Sequence, residues 1–435
     1  MAISNTPRQG ELAVLYSREL VQTAFGVPRA AGDLTLRLAA ENLSWPATGL
    51  TFRDILTCDN QAILESVLEK VQGAMQLEFW ANSADLGWIF ALGFGTAGAP
   101  GAVAAGNEVQ TETVTATGGT EKLEYDGRRT APFAYNANAA ARQAALEAVV
   151  GSGNVAVAGT GPYAYTFQGS LASSYVKRLR VVTSGLTGGS SSIAVTTPGG
   201  PARKSYAITL STSLVPKYST FIFAFAGDTT GFMVSDAAVN SIEVRQESAG
   251  LYRVTAQFVH NGQLEAVSGL TIPACASPRL IQAQESKLLM GSVDATEDVE
   301  SAGYTFGNEL IVDDGYTLAS PYLQRLERAD LRPHRFAFEI NQTIDQDVWD
   351  LCNANGLRGT EVSLQWQVGS ASDGATIAGS QTDVRFDGTM QQFGGPANRA
   401  RIPVIGQPKA RTADASRPVA VTVITEYADG YLATS

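Results

Sequence analysis

Cysteine is nearly absent from this chain. Its 435 residues include 3, at Cys58, Cys275 and Cys352, odd in number and far apart, which argues against a disulfide framework or a zinc site. Cys58 and Cys352 fall in helical patterns and are expected as small core residues. Histidine is scarcer still: the 2, His260 and His334, flank strand patterns without a partner at triad or metal-ligand spacing, and are expected to be structural. No HExxH, GxSxG or P-loop is present. Charge is sparse at 17%, and the 31 Lys and Arg against 42 Asp and Glu leave a net charge of −11. With no basic stripe, binding to DNA or to an anionic membrane is not the expected activity, although an acidic surface is compatible with a wall past which DNA slides. No apolar run reaches the ~18 residues of a membrane span. The start, Met1 to Arg8, lacks the basic and apolar segments of a secretory signal, so synthesis and folding in a reducing cytoplasm are expected.

What the chain does have is Gly (43 residues) with many Thr, Ser and Ala, and 44% hydrophobic residues. That mixture predicts sheets joined by many turns, in a length that accommodates two to four domains.

Period-two alternation is the dominant signal along the chain. It marks strands at Leu34–Leu36–Leu38, 76–80, Phe221–Phe223–Phe225, and 335–340, and at Glu361 to Val368, 381–387 and 418–426. Ile242 and Val244 followed by Tyr252, Val254, Ala256 and Phe258 predict a hairpin with one buried and one wet face. Further strands are expected at Leu288–Leu289 and Tyr304–Phe306. Ile63, Leu64, Val67, Leu68 and Val71 share one helical face, so a helix is expected over 60–71, capped by Asp59 or Asn60. Ser83 is the expected cap of a short apolar helix through Trp88, ended by Gly93. The Gly/Ala-rich stretch 93–107 has too little bulk for a core and reads as an arm that orders against a neighbour. Residues 132–210 read as an inserted α+β module. A helix over 139–150 is capped by Asn138, and short strands follow at Val155–Val157, Tyr163–Phe167, Leu179–Val182 and Ile193–Val195. Pro273 to Pro278 reads as a linker.

Beyond that linker the pattern starts again. Leu77 to Asn82 leads into a helix holding Trp88; Phe336 to Asn341 leads into a helix holding Trp349, with Thr343 and Gln346 as its capping box. Two related units per chain are therefore expected: a first domain over 1–131 and 211–272, interrupted by the insert at 132–210, and a second over 279–435.

Several segments together resemble the major tail tube proteins of long-tailed bacteriophages. They are Leu86 to Pro100, the Phe221 to Phe225 strand, the hairpin from Asn240 to Phe258, and Lys287 to Ser292. The insert resembles a small module of phage structural proteins, through Ala145 to Ala148, Val155 to Val157, Tyr163 to Gly169 and Leu186 to Gly189. The resemblance implies a mainly β fold with short helices, a duplicated sandwich or barrel carrying the small α+β module on its outer surface. It also implies a viral structural protein of the virion tail, made in the host bacterial cytoplasm, that self-assembles into homotrimeric or homohexameric rings. Stacked rings would form the conduit for DNA ejection, with DNA passing through the lumen without specific binding. The implied partners are the tape measure, tail terminator and baseplate or tip proteins, with no membrane involved. Open sheet borders that seek partners give the same expectation on physical grounds.

Chemistry finds little purchase. Gly93 to Gly98 fits GxGxxG but follows a helix, not a strand, so no dinucleotide site is expected. Asp313–Asp314–Gly315 reads as a hairpin turn and lacks calcium-loop spacing. No carboxylate pair is singled out for glycoside hydrolysis. The sequence therefore selects no catalytic, cofactor-binding or metal residue, and no enzyme or cofactor is expected. The alternative to a tube subunit is a virion or cell-surface carbohydrate-binding adhesin, motivated by the Gly/Ser-rich insert.

Overall fold

The computed structural model describes residues 12–38, 40–43, 47–56, 63–225, 227–246, 250–274, 278–291, 293–296, 299–317, 320–328, 335–343, 360–386, 401–408 and 419–433. The fold is mainly β, with two α-helices among the described residues. In chain order, β1 (Leu12–Tyr16) precedes a long hairpin of β2 (Ala47–Leu56) and β3 (Ile63–Trp80). Helix α1 (Ser83–Phe94) and the short β4 (Gly101–Val103) follow. A small α+β body then takes β5 (Val109–Val114), β6 (Gly118–Tyr125), α2 (Ala139–Val150), β7 (Val155–Ala158), β8 (Tyr163–Phe167) and β9 (Ser191–Thr197). The chain returns through β10 (Arg203–Thr209), β11 (Ser219–Phe225), β12 (Thr230–Gln246), β13 (Tyr252–His260) and β14 (Glu265–Ser268). The last third adds β15 (Lys287–Met290), β16 (Val299–Gly307), β17 (Arg335–Thr343), β18 (Thr360–Ser370), β19 (Asp373–Phe386), β20 (Arg401–Pro408) and β21 (Val419–Thr425).

Two antiparallel layers enclose α1. One runs β1–β11–β12–β14. The other runs β2–β3–β13–β12–β16–β17–β20–β19, and from β19 one branch leads to β18 and β15 while a second leads to β21, β10 and β4. The 17-residue β12 belongs to both, switching layers at a bulge around Asp236, whose φ is +59°. A non-glycine residue seldom takes that conformation, and Asp tolerates it better than most. Here the Asp236 carboxylate also accepts from Gly26 N and Asn261 Nδ2, both at 2.7 Å.

Every residue of α1 is buried. A helix apolar on all sides cannot face water, so it becomes the core itself. Trp88 packs on Tyr16 and Phe221 of the first layer, while Phe90 and Phe94 pack on Tyr304 and Phe306 of the second. The cap is Asn82, whose Oδ1 accepts from Asp85 N at 2.9 Å, where Ser83 was expected; Ser83 Oγ instead bonds Asp373 Oδ1 at 2.6 Å. The helix ends at Gly95, two residues beyond the expected Gly93, with φ +83° at the left-handed position glycine favours.

The helix expected over 60–71 is a correction: from Ile63 onward the backbone is β3, paired residue by residue with β2. The apolar spacing there fits a helical face, and pairing with the adjoining β2 overrides it. The stretch 93–107 is a second correction. It orders against its own chain, through Gly98 N to Ala207 O and the β4–β10 pairing. The small body begins earlier than residue 132, since β5 and β6 carry its sheets, and ends before 210, since β10 pairs with β4 and β21. Its core is Leu123, Leu146, Val155, Tyr163, Tyr165, Phe167, Leu179 and Ile193. The boundary drawn at 273–278 does not separate two cores, because one cluster joins Phe79, Trp88 and Val254 to Tyr304, Trp366 and Val421. Asp313–Gly315 is a 3-10 turn and not the turn of a tight hairpin. The expected helix around Trp349, all three cysteines and His334 lie outside the described residues, as do residues 275–277 of the expected linker.

Candidate assembly interface

Two sheet borders lack a strand partner among the described residues. β2 (10 residues) and β3 (18 residues) form a ribbon. Over Gly73 to Trp80, β3 is flanked on its far side by β13. At Val71 the flank is a single bridge, with Val71 N donating to Pro321 O at 2.8 Å. From Lys70 back to Ile63, β2 is its sole backbone partner among the described residues. That two-stranded length extends roughly 25 Å. A two-stranded hairpin is marginal by itself in water, so such an extension gains from a partner surface. β14 is a second open border: it pairs with β12 on one side and with no strand on the other among the described residues. Beside it runs a groove of about 430 Å3 lined by Phe223, Phe225, Phe232 and Ala266.

Charged groups buried in the small body and at the ends of α1 make structural contacts. In the small body, Arg142 is fully buried on the inner face of α2, stacked 4.0 Å from the Tyr163 ring. Its Nη1 donates to Glu112 Oε2 at 2.6 Å, its Nε to Ala137 O at 3.0 Å and its Nη2 to Tyr135 O at 2.6 Å. Glu112 also accepts from Tyr165 Oη at 2.5 Å and from Ser191 Oγ at 2.9 Å. Glu121 Oε1 lies 2.8 Å from Arg142 Nη2, a second ion pair to the same guanidinium. Burial first, and the nearby Glu112 charge second, push the Glu121 carboxyl up to about 6. Where the small body meets the large sheet, Glu108 is pushed by burial up to about 7, against a hydrogen bond from Gln110.

At the ends of α1, charge matches the helix dipole. Asp85 in the first turn receives Arg18 Nε at 2.7 Å and Asn82 Nδ2 at 2.6 Å. At the other end Arg328 Nη2 donates to Gly93 O at 2.8 Å, and burial lowers its guanidinium to about 10. His260 is buried with its ring against Gly73, where a Cβ would lie 1.9 Å from the imidazole. Its Nδ1 accepts from Gly262 N at 3.1 Å, and burial lowers the imidazole to about 4, so it is neutral at physiological pH.

The glycines of Gly93 to Gly98 serve packing: a Cβ on Gly93 would meet Ile242 Cδ1 at 2.6 Å, and Gly98 N donates to Ala207 O. Among the described residues no three His, Cys, Asp or Glu side chains are grouped to hold a metal. No described helix is long and apolar enough to cross a membrane.

The sequence reading passed over the Arg142 cluster and Asp236. For the first a signal existed: Arg142 stands four residues before Leu146 on the face of α2 that enters the core, and Glu112 shares its strand face with Gln110 and Val114. No protein-family model matches the chain, and no curated protein matches it.

Proposed function

We propose that the chain is a structural subunit of a bacteriophage tail tube, self-assembling into stacked rings that form a hollow conduit for DNA ejection. The observation that carries this reading is the β2–β3 ribbon, whose outer residues pair only with each other among the described residues. A solitary protein gains nothing from such an extension, whereas a subunit uses it to reach the next copy. The net charge of −11 supports a lumen that repels phosphates and lets DNA slide. In this reading the rings are trimers or hexamers in the virion tail, and the small body projects from the outer wall.

The carbohydrate-binding alternative would use a groove of about 240 Å3 beside Tyr252 and Trp366. Those rings are 1% and 2% exposed, so neither offers a face on which a sugar could stack. The test is negative-stain electron microscopy and sedimentation of the purified chain over a wide concentration range. Rings or tubes of uniform diameter are expected. A monomer at every concentration, with no ring in any condition, would end this reading.

A further inference from the structure

We propose that the Leu214–Val215 knob of one molecule seats in the groove beside β14 of a second copy, a head-to-tail contact that rests on the self-assembly reading above and names its surfaces. The groove is lined by Phe223, Phe225, Phe232, Ala266 and Val267, with Asp228 at its mouth. Phe232 is 42% exposed although it pairs across the sheet with the fully buried Phe223. The floor of the groove is thus core-like and its rim is wet. The border of β14 that has no strand partner among the described residues lies along the same groove, so an incoming segment would find both apolar side chains and a sheet edge.

The knob is the loop between β10 and β11. Leu214 and Val215 are 42% and 54% exposed. They do not dangle: Ser213 N donates to Ser211 Oγ at 3.1 Å, Val215 N donates to Ser213 Oγ at 3.2 Å, and Leu214 O accepts from Arg328 N at 2.7 Å. Arg328 is itself buried at the end of α1, so the knob is held by the core and loses little freedom on docking.

Position and charge select a second copy as the occupant. The knob precedes β11 and the groove lies at the far end of that strand, whose seven residues span roughly 20 Å. One molecule therefore does not fill its own groove. The contact is heterologous, and repeating it closes a ring or propagates a filament. The groove carries exposed Asp228, with Glu265 exposed at the start of β14, while the knob carries Lys217; none of the three has an ion-pair partner among the described residues. In a chain of net charge −11, copies repel unless opposite charges meet at the contact, and this pairing supplies them.

The test compares sedimentation velocity and electron microscopy of the full chain with the variants Val215→Glu, Phe232→Glu, Lys217→Glu and Glu265→Lys. Circular dichroism melts confirm that each is folded. Val215→Glu and Phe232→Glu are each expected to weaken assembly at least tenfold. Lys217→Glu alone is expected to weaken it less, and combining it with Glu265→Lys is expected to restore it. If the unaltered chain assembles and folded Val215→Glu and Phe232→Glu assemble equally well, this contact is wrong and self-assembly stands. If the unaltered chain stays monomeric at every concentration, both fall together.

Discussion

Arg142 shows how one side chain organises the small body. Its guanidinium is enclosed by aromatic rings, hydrogen-bonds Glu112 and two backbone carbonyls, and is shared by a second carboxylate, Glu121, as an ion pair. Two carboxylates with one cation cannot both be well compensated in a dry site. The consequence is a pH dependence of definite sign. Glu121 has its acidity weakened, to about 6 against the usual 4.5, so the folded state holds the proton more tightly than the unfolded chain. Stability from this group is full below about 4.5 and is lost as the pH rises through about 6, by on the order of 1–2 kcal/mol. Glu121→Gln is expected to remove that loss. Thermal melts at pH 5 and pH 8 should converge for the variant relative to the unaltered protein, and an unchanged pH slope would refute the assignment.

At the scale of elements, α1 is the keystone, and its ends matter as much as its apolar faces. Asn82 closes the N-terminus twice, accepting from Asp85 N and donating to Asp85 Oδ2. Asn82→Ala is therefore expected to cost about 1–2 kcal/mol, the upper part of the range for a lost cap, because a buried carboxylate also loses a donor. Chemical denaturation followed by tryptophan fluorescence checks this. Asn82→Asp should not reproduce the native value, since it keeps the acceptor but lacks the amide donor and adds a second negative charge beside Asp85. Element type was legible where one period dominated. Phe221, Phe223 and Phe225 alternate and form β11, and Asn138 before an Ala-rich run caps α2. It was illegible in β3, where Ile63, Leu64, Val67, Leu68 and Val71 satisfy a helical face as written. There the competing information lies outside the segment itself: β2 supplies the hydrogen-bond partners over residues 63–72, and β13 joins only from Gly73 onward.

For the whole molecule, β12 is the decisive strand, because it belongs to both layers and its bulge at Asp236 turns one into the other. The assembly prediction belongs at this scale as well. Thr51 and Lys70 are cross-strand partners in the ribbon, so an Asn-Gly turn in place of residues 52–69 would close β2 onto β3 at that register. The shortened chain is expected to keep its melting temperature within a few degrees, to retain ring formation and to lose stacking into tubes. Long tubes from the shortened chain would show that the ribbon is not the stacking element. The sequence by itself determined the mainly β class, the apolar helix around Trp88, the hairpin of β12 with β13 and the helix of the small body, because each is written in local periodicity and capping residues. Tertiary structure alone decided that residues 63–72 are strand, that the small body begins at its β5 strand, and that the two halves of the chain share one core. Each of these rests on pairing or packing with residues outside the segment being read, which its own side-chain pattern does not record.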